Sequence, residues 1–248
     1  MNQPPRRRLD RALRFVRNRF SPEGYLGLHL TVGLLIMVLF AWCFSEIAED
    51  LVPNAGAVAA DQGVTNWFQA QGQPQLTAIM QVVTFFGSVG FVTGALIACG
   101  LLLAARRAWD WLLALAFTML GGSLLNILLK HLFHRQRPVL ENPLVTLTSF
   151  GFPSGHTMGS TLFYGFLSLC ALHSAKSWPG RTAVVLAAAL TVTAVGLSRI
   201  YLGAHYLSDV LAAIAAGIVW LAFSWTAIET FRRRRLTRNT AVASPRET

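Results

Sequence analysis

The chain has 248 residues, of which 54% are hydrophobic and only 13% charged, and its formal net charge is +10. Soluble domains carry about 25% charged and about 45–50% apolar residues, so this composition excludes a water-soluble protein and predicts a membrane protein. A nucleic-acid binder would need a basic face on a soluble fold, whereas the 21 Lys and Arg here cluster in short runs between apolar stretches. We therefore expect no nucleic-acid partner.

Six apolar stretches are long enough to cross a bilayer core about 30 Å thick, which takes about 20 residues of helix. They run approximately over Leu26–Glu46, Leu76–Ala104, Trp111–Leu132, His156–His173, Thr182–Arg199 and Leu207–Glu229. The pattern predicts an all-α, polytopic membrane protein with six transmembrane helices. The first stretch lacks a small-residue cleavage pattern behind it, so we expect a retained anchor. Cysteines lie only inside apolar segments, without metal-ligand spacing, and are predicted to be packing residues: Cys43, Cys99 and Cys170.

Residues 1–248 are predicted to form a single membrane domain, with a six-helix core at 25–230 between basic tails at 1–24 and 231–248. Cytoplasmic loops retain Lys and Arg, and 17 of the 21 basic residues fall on one face of this layout. That bias predicts a protein of the cytoplasmic membrane with both termini in the cytoplasm. The four exceptions fall on the opposite face, and they are Lys130, Arg135, Arg137 and Arg199.

The segment Ile47–Gln75, between the first two spans, has no Lys or Arg. It is long enough for a short interfacial helix in which Trp67 and Phe68 would lie at headgroup level, and an irregular linker is an equally good interpretation.

Polar residues gather in three islands at the extracytoplasmic ends of the predicted spans: Lys130–Pro138, Pro153–His156 and Ser198–Asp209. Ionisable groups at membrane depth are costly, so a functional role is the default expectation. Lys130 and Arg137 are seven residues apart, so one short segment can bring two cations to a tetrahedral oxyanion. Arg199, on another helix, can add a planar guanidinium that is suited to two parallel hydrogen bonds with the same anion.

Neutral donors and two imidazoles complete the predicted phosphate site. Gly155 lets the backbone approach a ligand, and Ser154 lies where the amides at a helix start attract an anion. His205 precedes Asp209 by four residues, so on a helix the carboxylate can hold the ring with its other nitrogen free to attack. His156 lies beside the cradle and can protonate the departing oxygen.

We expect no metal and no other cofactor, because these roles need none. Only Glu141 and Asp209 supply carboxylates among the islands, too few for a site with two metal ions.

In these residues and their spacing, the sequence resembles the type 2 phosphatidic acid phosphatase superfamily. Its three motifs, K-x6-R-P, P-S-G-H and S-R-x5-H-x3-D, occur in order at Lys130–Pro138, Pro153–His156 and Ser198–Asp209. The layout of six spans is similar to the membrane lipid phosphatase branch, including bacterial undecaprenyl diphosphate and phosphatidylglycerol phosphate phosphatases. The resemblance implies a phosphohistidine on His205. It also implies that Asp209 is the hydrogen-bond partner of His205 and that His156 is the general acid. The phosphate-binding residues that it implies are Lys130, Arg137, Ser154, Gly155 and Arg199.

Polar residues that match no fixed position of the motifs receive more modest interpretations. Arg135 is expected to contact the headgroup or to support the site from behind. His131 and His134 are expected to contact the headgroup or simply to lie at the interface, and not to act in catalysis. Asn126, His29 and His173 are expected to be structural. Gly121, Gly122 and Ser123 are expected to allow close helix packing.

The predicted function is hydrolysis of a lipid phosphate or diphosphate at the extracytoplasmic face, with undecaprenyl diphosphate as the first candidate substrate. Phosphatidylglycerol phosphate or phosphatidic acid is the second candidate. A lipid phosphotransferase remains an alternative, because an acceptor other than water can intercept a phosphohistidine. A lipid-binding protein or transporter is the alternative without catalysis, although binding alone would not require the two histidines and the aspartate. The expected partners are the lipid substrate and the bilayer, and the sequence does not predict an oligomeric state.

Overall fold

The computed structural model describes residues 27–49, 55–139 and 149–243, without the side chains of 55–57 and 236–243. The described residues form helices and no strands. In chain order they are α1 (Leu28–Glu49), α2 (Ala55–Ala70), α3 (Pro74–Phe85), α4 (Val89–Ala105), α5 (Trp109–Phe133), α6 (Gly155–Ser174), α7 (Trp178–Tyr201) and α8 (Leu207–Ala243). The prediction of an all-α, multi-pass membrane protein is confirmed. The predicted tail 1–24, Glu141 and Arg246 lie outside the described residues.

Five segments of the described chain are long and apolar enough to cross a membrane: α1, α3 with α4, α5, α7 and α8 up to Arg235. The fourth predicted span, α6, is 20 residues long but is not among these apolar segments. Its hydroxyl groups are buried inside the protein, at Thr157, Ser160 and Thr161. Because α6 packs against α5, α7 and α8, neighbouring helices rather than lipid surround these groups.

The second predicted span is broken, in contrast to the continuous helix expected over Leu76–Ala104. Helix α3 ends at Phe85 and α4 begins at Val89. Gly87 lies at the break, where an added Cβ would overlap the side chain of Val195 and lie 2.8 Å from Ser160 Oγ. Ser88 caps the new helix by accepting a hydrogen bond from the backbone N of Phe91 at 3.2 Å. The break lets the backbone approach α6 and α7 closely.

Two glycines bring α5 against its neighbours, as predicted for Gly121 and Gly122. A Cβ on Gly121 would overlap the indole of Trp220 on α8, and one on Gly122 would overlap Leu162 on α6. The indole Nε1 of Trp220 donates a hydrogen bond to the Thr118 carbonyl at 3.0 Å. This close packing confirms the role predicted for the two glycines.

Helix α1 packs antiparallel along α8. A Cβ on Gly33 would overlap the Thr226 hydroxyl, and the His29 ring lies 3.1 Å from Thr230 Oγ1. At the other end of α1, Phe44 packs against Phe152, with ring centroids 5.8 Å apart. The contacts of Gly33 and His29 hold α1 on α8, the helix that carries Asp209, whereas Phe44 contacts the segment before α6. The bond to Thr230 gives His29 the structural role predicted for it.

The last helix continues well past the predicted boundary at Glu229, reaching Ala243. The predicted basic tail 231–248 is thus helical as far as Ala243. Arginine is a good helix former, and Glu229 pairs with Arg233 at 2.7 Å across one turn. No proline or glycine interrupts the run before Pro245. The arginine-rich segment therefore extends the span as helix.

Helix α2 occupies the segment for which a short helix and an irregular linker were both open. It packs on α7 and α8, and the side chain of Gln69 donates a hydrogen bond to the Tyr201 carbonyl at 2.7 Å. Trp67 is 60% exposed, which leaves it available for the headgroup contact expected of it.

Candidate active site

The three polar islands meet at one end of the helix bundle. The first follows the end of α5, the second leads into α6, and the third joins α7 to α8. Hydrogen bonds connect them directly: Arg137 reaches the Ala204 carbonyl at 2.7 Å, and the Ser154 backbone N donates to the Asp209 carbonyl at 3.1 Å. The structure thus assembles one site from residues 130 to 209.

His205 is buried and held between a carboxylate and a guanidinium. Its Nδ1 lies 3.3 Å from Asp209 Oδ2, and its Nε2 lies 3.0 Å from an Nη1 of Arg137. A guanidinium only donates, so Nε2 accepts and Nδ1 carries the proton that is shared with Asp209. Burial lowers the pKa of His205 to about 4, against the raising effect of Asp209. The ring is therefore neutral near pH 7, with an Nε2 lone pair directed at the Arg137 guanidinium.

Asp209 uses both carboxylate oxygens. Oδ2 faces His205 and also accepts a hydrogen bond from the Tyr206 backbone N at 3.0 Å. Oδ1 accepts from Arg135 Nη1 at 2.5 Å, and Asp209 is fully buried. Because the carboxylate lies in the first turn of α8, the helix dipole also favours its negative charge.

Two cations of the first island are held by carbonyl groups of the loop before α6. Lys130 Nζ donates to the Phe150 carbonyl at 2.5 Å, and Arg137 Nε donates to the Ser149 carbonyl at 2.7 Å. Neither cation has a carboxylate partner among the described residues. Burial lowers the pKa of Arg137, an effect that nearby Asp209 opposes. Carbonyls orient the two positive charges without neutralising them, so both remain available to an anion.

Arg199 lies on α7 and is 3% exposed. Its Nη1 donates to Thr84 Oγ1 at 2.9 Å, beside the break between α3 and α4, whereas its buried Nε has no hydrogen-bond partner. An unsatisfied buried guanidinium N–H is costly, so this group suits an oxyanion ligand. The Thr84 contact had no signal in the sequence, because the two residues are 115 positions apart.

The second island forms the start of α6. Ser154 is buried at the N-cap, where its hydroxyl accepts a hydrogen bond from Thr157 Oγ1 at 3.0 Å. Gly155 begins the helix, and a Cβ there would lie 3.4 Å from Asn126 Oδ1. His156 is half-buried in the wall of the cavity described next.

A cavity of about 450 Å³ opens among these residues. Its polar wall is formed by Lys130, Arg137, Ser149, His156 and His205. The apolar wall includes Val89, Gly122, Ile127, Met158 and Leu162. Gly122 precedes Lys130 by eight residues, about 12 Å along α5, so the apolar part extends towards the middle of the span. Ser123, predicted to be a packing position, also lines this cavity, as does Asn126, whose amide contacts Met158 Sδ at 3.4 Å.

Sequence reasoning missed one acidic residue of the site, Asp61 on α2. Its Oδ2 lies 2.7 Å from Arg135 Nη2, and the same guanidinium contacts Asp209. Arg135 was expected either to contact the headgroup or to support the site. The structure shows the second role, because Arg135 bonds to the Asp209 oxygen that does not face His205. Asp61 is 74 residues from Arg135, and no motif spacing connects them.

The remaining predicted polar residues lie beside the site or far from it. His131 and His134 pack edge-on against Phe150, with ring centroids 6.1 and 4.6 Å apart, and neither lines the cavity. His173 packs on Trp111 at 5.5 Å, away from the polar islands. In the described ranges, no group of three His, Cys, Asp or Glu side chains is arranged to hold a metal ion.

Several known proteins are similar to this chain. The sequence profile of the PAP2 superfamily matches residues 111–233, which contain all three islands. Phosphatidylglycerophosphatase B of Bacillus subtilis is 32% identical over 180 residues, covering 71% of this chain and 86% of the relative. Decaprenylphosphoryl-5-phosphoribose phosphatase of Mycobacterium tuberculosis is 30% identical over 152 residues, 58% of this chain and 76% of the relative.

A solved structure shares the fold. The crystal structure of a transmembrane PAP2 type phosphatidylglycerolphosphate phosphatase from Bacillus subtilis superimposes with a TM-score of 0.67 and 27% identity. The match covers 86% of this chain and 98% of that one. The chain therefore belongs to the PAP2 superfamily, within its membrane lipid phosphatase branch.

Proposed function

We propose that the protein hydrolyses a lipid phosphate by way of a phosphohistidine on His205, without a metal ion. One observation carries the proposal: a single cavity has two cations and two imidazoles at one end and an apolar wall at the other. That arrangement matches a phosphate headgroup attached to a hydrocarbon chain. A protein that only bound the headgroup would not require a buried neutral imidazole paired with Asp209.

In the first step, the phosphate binds among Lys130, Arg137 and Arg199, and the guanidinium of Arg137 moves from His205 Nε2 to a phosphate oxygen. The freed lone pair of Nε2 attacks phosphorus while the bond from phosphorus to the lipid oxygen breaks. His156 gives its proton to that oxygen as the lipid departs. The three cations stabilise the charge that accumulates on the phosphoryl oxygens.

In the second step, water attacks the phosphohistidine. His156, now neutral, accepts a proton from that water, the bond from Nε2 to phosphorus breaks, and inorganic phosphate leaves. Asp209 accepts a hydrogen bond from Nδ1 throughout and stabilises the positive charge of the phosphorylated ring. Ser154 and the first backbone N–H groups of α6 add neutral donors at a positive helix end.

The names of the relatives guide the choice of substrate. The Bacillus subtilis relative is named for phosphatidylglycerophosphate, and the Mycobacterium tuberculosis relative for a decaprenyl-linked phosphate. We therefore place phosphatidylglycerol phosphate first, ahead of the undecaprenyl diphosphate favoured from sequence, and keep the polyprenyl substrate as the second candidate.

The test is phosphate release by purified protein in detergent, with phosphatidylglycerol phosphate, phosphatidic acid, undecaprenyl diphosphate and a water-soluble aryl phosphate as substrates. Exhaustive chelation should leave the rate unchanged, and vanadate, which mimics five-coordinate phosphorus, should inhibit. Release that stops on chelation and returns only with added Mg²⁺ would contradict the metal-free site. No release from any of the lipids would contradict the function.

We further propose that the site faces the exterior or periplasm, because the described basic residues outside the site cluster at the other ends of the spans. In a background without the three native cysteines, Glu141→Cys should react with an impermeant thiol reagent in intact spheroplasts. Thr237→Cys should react only after lysis. The reverse pattern would overturn the orientation and leave the chemistry untouched.

A further inference from the structure

A chain of three charged residues lies behind His205. Asp209 bonds to Arg135 Nη1 through Oδ1 at 2.5 Å, and Arg135 Nη2 bonds to Asp61 Oδ2 at 2.7 Å. Asp209 is fully buried and Asp61 is 6% exposed. One guanidinium is therefore shared between the carboxylate that faces His205 and a carboxylate from another part of the fold.

Contacts around Arg135 fix the guanidinium in this position. Its Cζ lies 4.6 Å from the centre of the Tyr206 ring, and Nη1 also donates to Ser208 Oγ at 2.6 Å. Ser208 Oγ in turn donates to Asp61 Oδ2, and the Ser208 backbone N donates to Asp61 Oδ1 at 3.1 Å. The fork cannot turn towards Asp209 alone without breaking several contacts at once.

Asp61 belongs to helix α2, outside the three motifs. It accepts from the start of α8, where an anion is favoured by the helix dipole. Elsewhere on α2, the Gln69 side chain bonds to the Tyr201 carbonyl at the end of α7. Helix α2 thus bridges the two ends of the loop that carries His205, and the two anchors are chemically independent.

The shared guanidinium determines how much negative charge Asp209 offers to His205. As Nε2 bonds to phosphorus, the imidazole becomes positively charged, and an unshared carboxylate stabilises that charge best. A guanidinium bound to Asp209 alone would neutralise much of the negative charge of that carboxylate. Because Arg135 pairs with Asp61 as well, it neutralises less of the negative charge of Asp209. Asp209 still stays oriented by its bond to the guanidinium.

We propose that Asp61 is a positioning residue for the phosphoryl transfer, acting on Asp209 through Arg135. The inference rests on the proposed phosphohistidine chemistry. It assigns helix α2 a part in turnover that the three motifs do not cover.

The experiment compares Asp61→Asn with the wild type in the same phosphate-release assay. Asparagine keeps the shape and can still accept from the Ser208 backbone N, but it removes the ion pair with Arg135. We expect kcat to fall about tenfold with KM unchanged, because the change affects charge development and not headgroup binding. The control is Gln69→Leu, which removes the other anchor of α2 and should leave kcat within about twofold.

A double-mutant cycle decides whether the effect passes through Arg135. In an Arg135→Gln background, Asp61→Asn should cost less than about twofold, because the residue through which it acts is already gone. A further tenfold loss in that background, or equal losses for Gln69→Leu and Asp61→Asn, would overturn the inference and indicate docking of α2 instead. If Asp61→Asn fails to fold, Arg135→Lys tests the link from the other end, since one ammonium cannot bond both carboxylates as a fork does. Wild-type-like kcat in Arg135→Lys would then contradict the inference.

The same assay keeps the two proposals separate. Phosphate release by the wild type with an unaffected Asp61→Asn variant rejects this inference alone. No release by the wild type from any lipid rejects the proposed function.

Discussion

Helices α7 and α8 differ sharply from α1, α3 and α4 in what surrounds them. Within the apolar stretch of 18 residues in each segment, 33% of the residues of α7 and 39% of those of α8 are buried. The corresponding share is 6% for α1 and 6% for α3 together with α4. Buried polar residues follow the same division: α7 and α8 bury Ser198, Arg199, Asp209, Ser224 and Thr226, whereas α1, α3 and α4, which are described in full, bury none. Helices surrounded by protein can carry polar chemistry across the membrane level, and helices facing lipid remain apolar.

The largest difference between the two regions should appear on removal of the proposed nucleophile, His205. His205→Ala is expected to reduce turnover roughly a thousandfold or more, because no other group supplies the Nε2 lone pair. The matched change on the lipid-facing side, Leu35→Ala on α1, where the side chain is 65% exposed, should leave turnover unchanged. Phosphate release by both purified variants is the measurement. Near-wild-type release by His205→Ala would end the nucleophile assignment.

A smaller loss is expected for His156→Ala, and it should depend on the leaving group. General acid catalysis contributes about 10²–10⁴-fold, and it matters most when the departing oxygen is a poor leaving group. The variant should therefore lose far more activity on a lipid phosphate than on an activated aryl phosphate. Equal losses on the two substrates would remove His156 from the acid role.

The pH dependence should reveal the buried state of the proposed nucleophile. Burial lowers the pKa of His205 to about 4, and only the neutral ring can attack. Measured with His156→Ala and an activated aryl phosphate, so that the general acid does not contribute, and corrected for the ionisation of the substrate, kcat/KM should stay level from neutral pH towards pH 5. It should fall about tenfold per pH unit below pH 4. An acid limb near 6.5, the ordinary imidazole value, would show that His205 is hydrated in the free enzyme.

The smallest effect concerns packing and needs no substrate. Gly122→Ala should lower stability by about 1–3 kcal/mol, because its Cβ would overlap Leu162. Gly94→Ala, where an added Cβ has nothing within 4 Å, should leave the unfolding midpoint unchanged or slightly raised, since alanine is the better helix former. Thermal unfolding of the two variants in detergent provides the comparison. Equal midpoints would contradict the close approach of α5 and α6.

The motifs and spans of this protein were predictable because their signals are local. Lys130 and Arg137 lie in one segment, and His205 and Asp209 are four residues apart. Their short spacing brings each pair together, although His205 lies in the loop just before α8 and not on the helix itself. Apolar length likewise accounts for five segments that can cross a membrane. Helix α6 is not one of them, and it packs among α5, α7 and α8.

What could not be predicted depends on contacts between distant residues. The break at Gly87 exists because Val195 and Ser160 occupy the space that a Cβ would need, and nothing near Gly87 in sequence indicates this. Asp61 is an isolated acidic residue on a helix outside the motifs, and its role depends on Arg135, 74 positions away. The extension of α8 to Ala243 was missed because a run of arginines indicates a cytoplasmic tail as readily as a helix.

The most direct test of the account is to trap the phosphoenzyme. Wild-type protein mixed with ³²P-labelled lipid phosphate and quenched within milliseconds should carry acid-labile, base-stable label, located by mass spectrometry on the peptide that contains His205. The label should be absent from His205→Ala and should accumulate in His156→Ala when the donor is an aryl phosphate. Turnover by the wild type with no label on His205, or with label on another residue, would contradict the phosphohistidine mechanism.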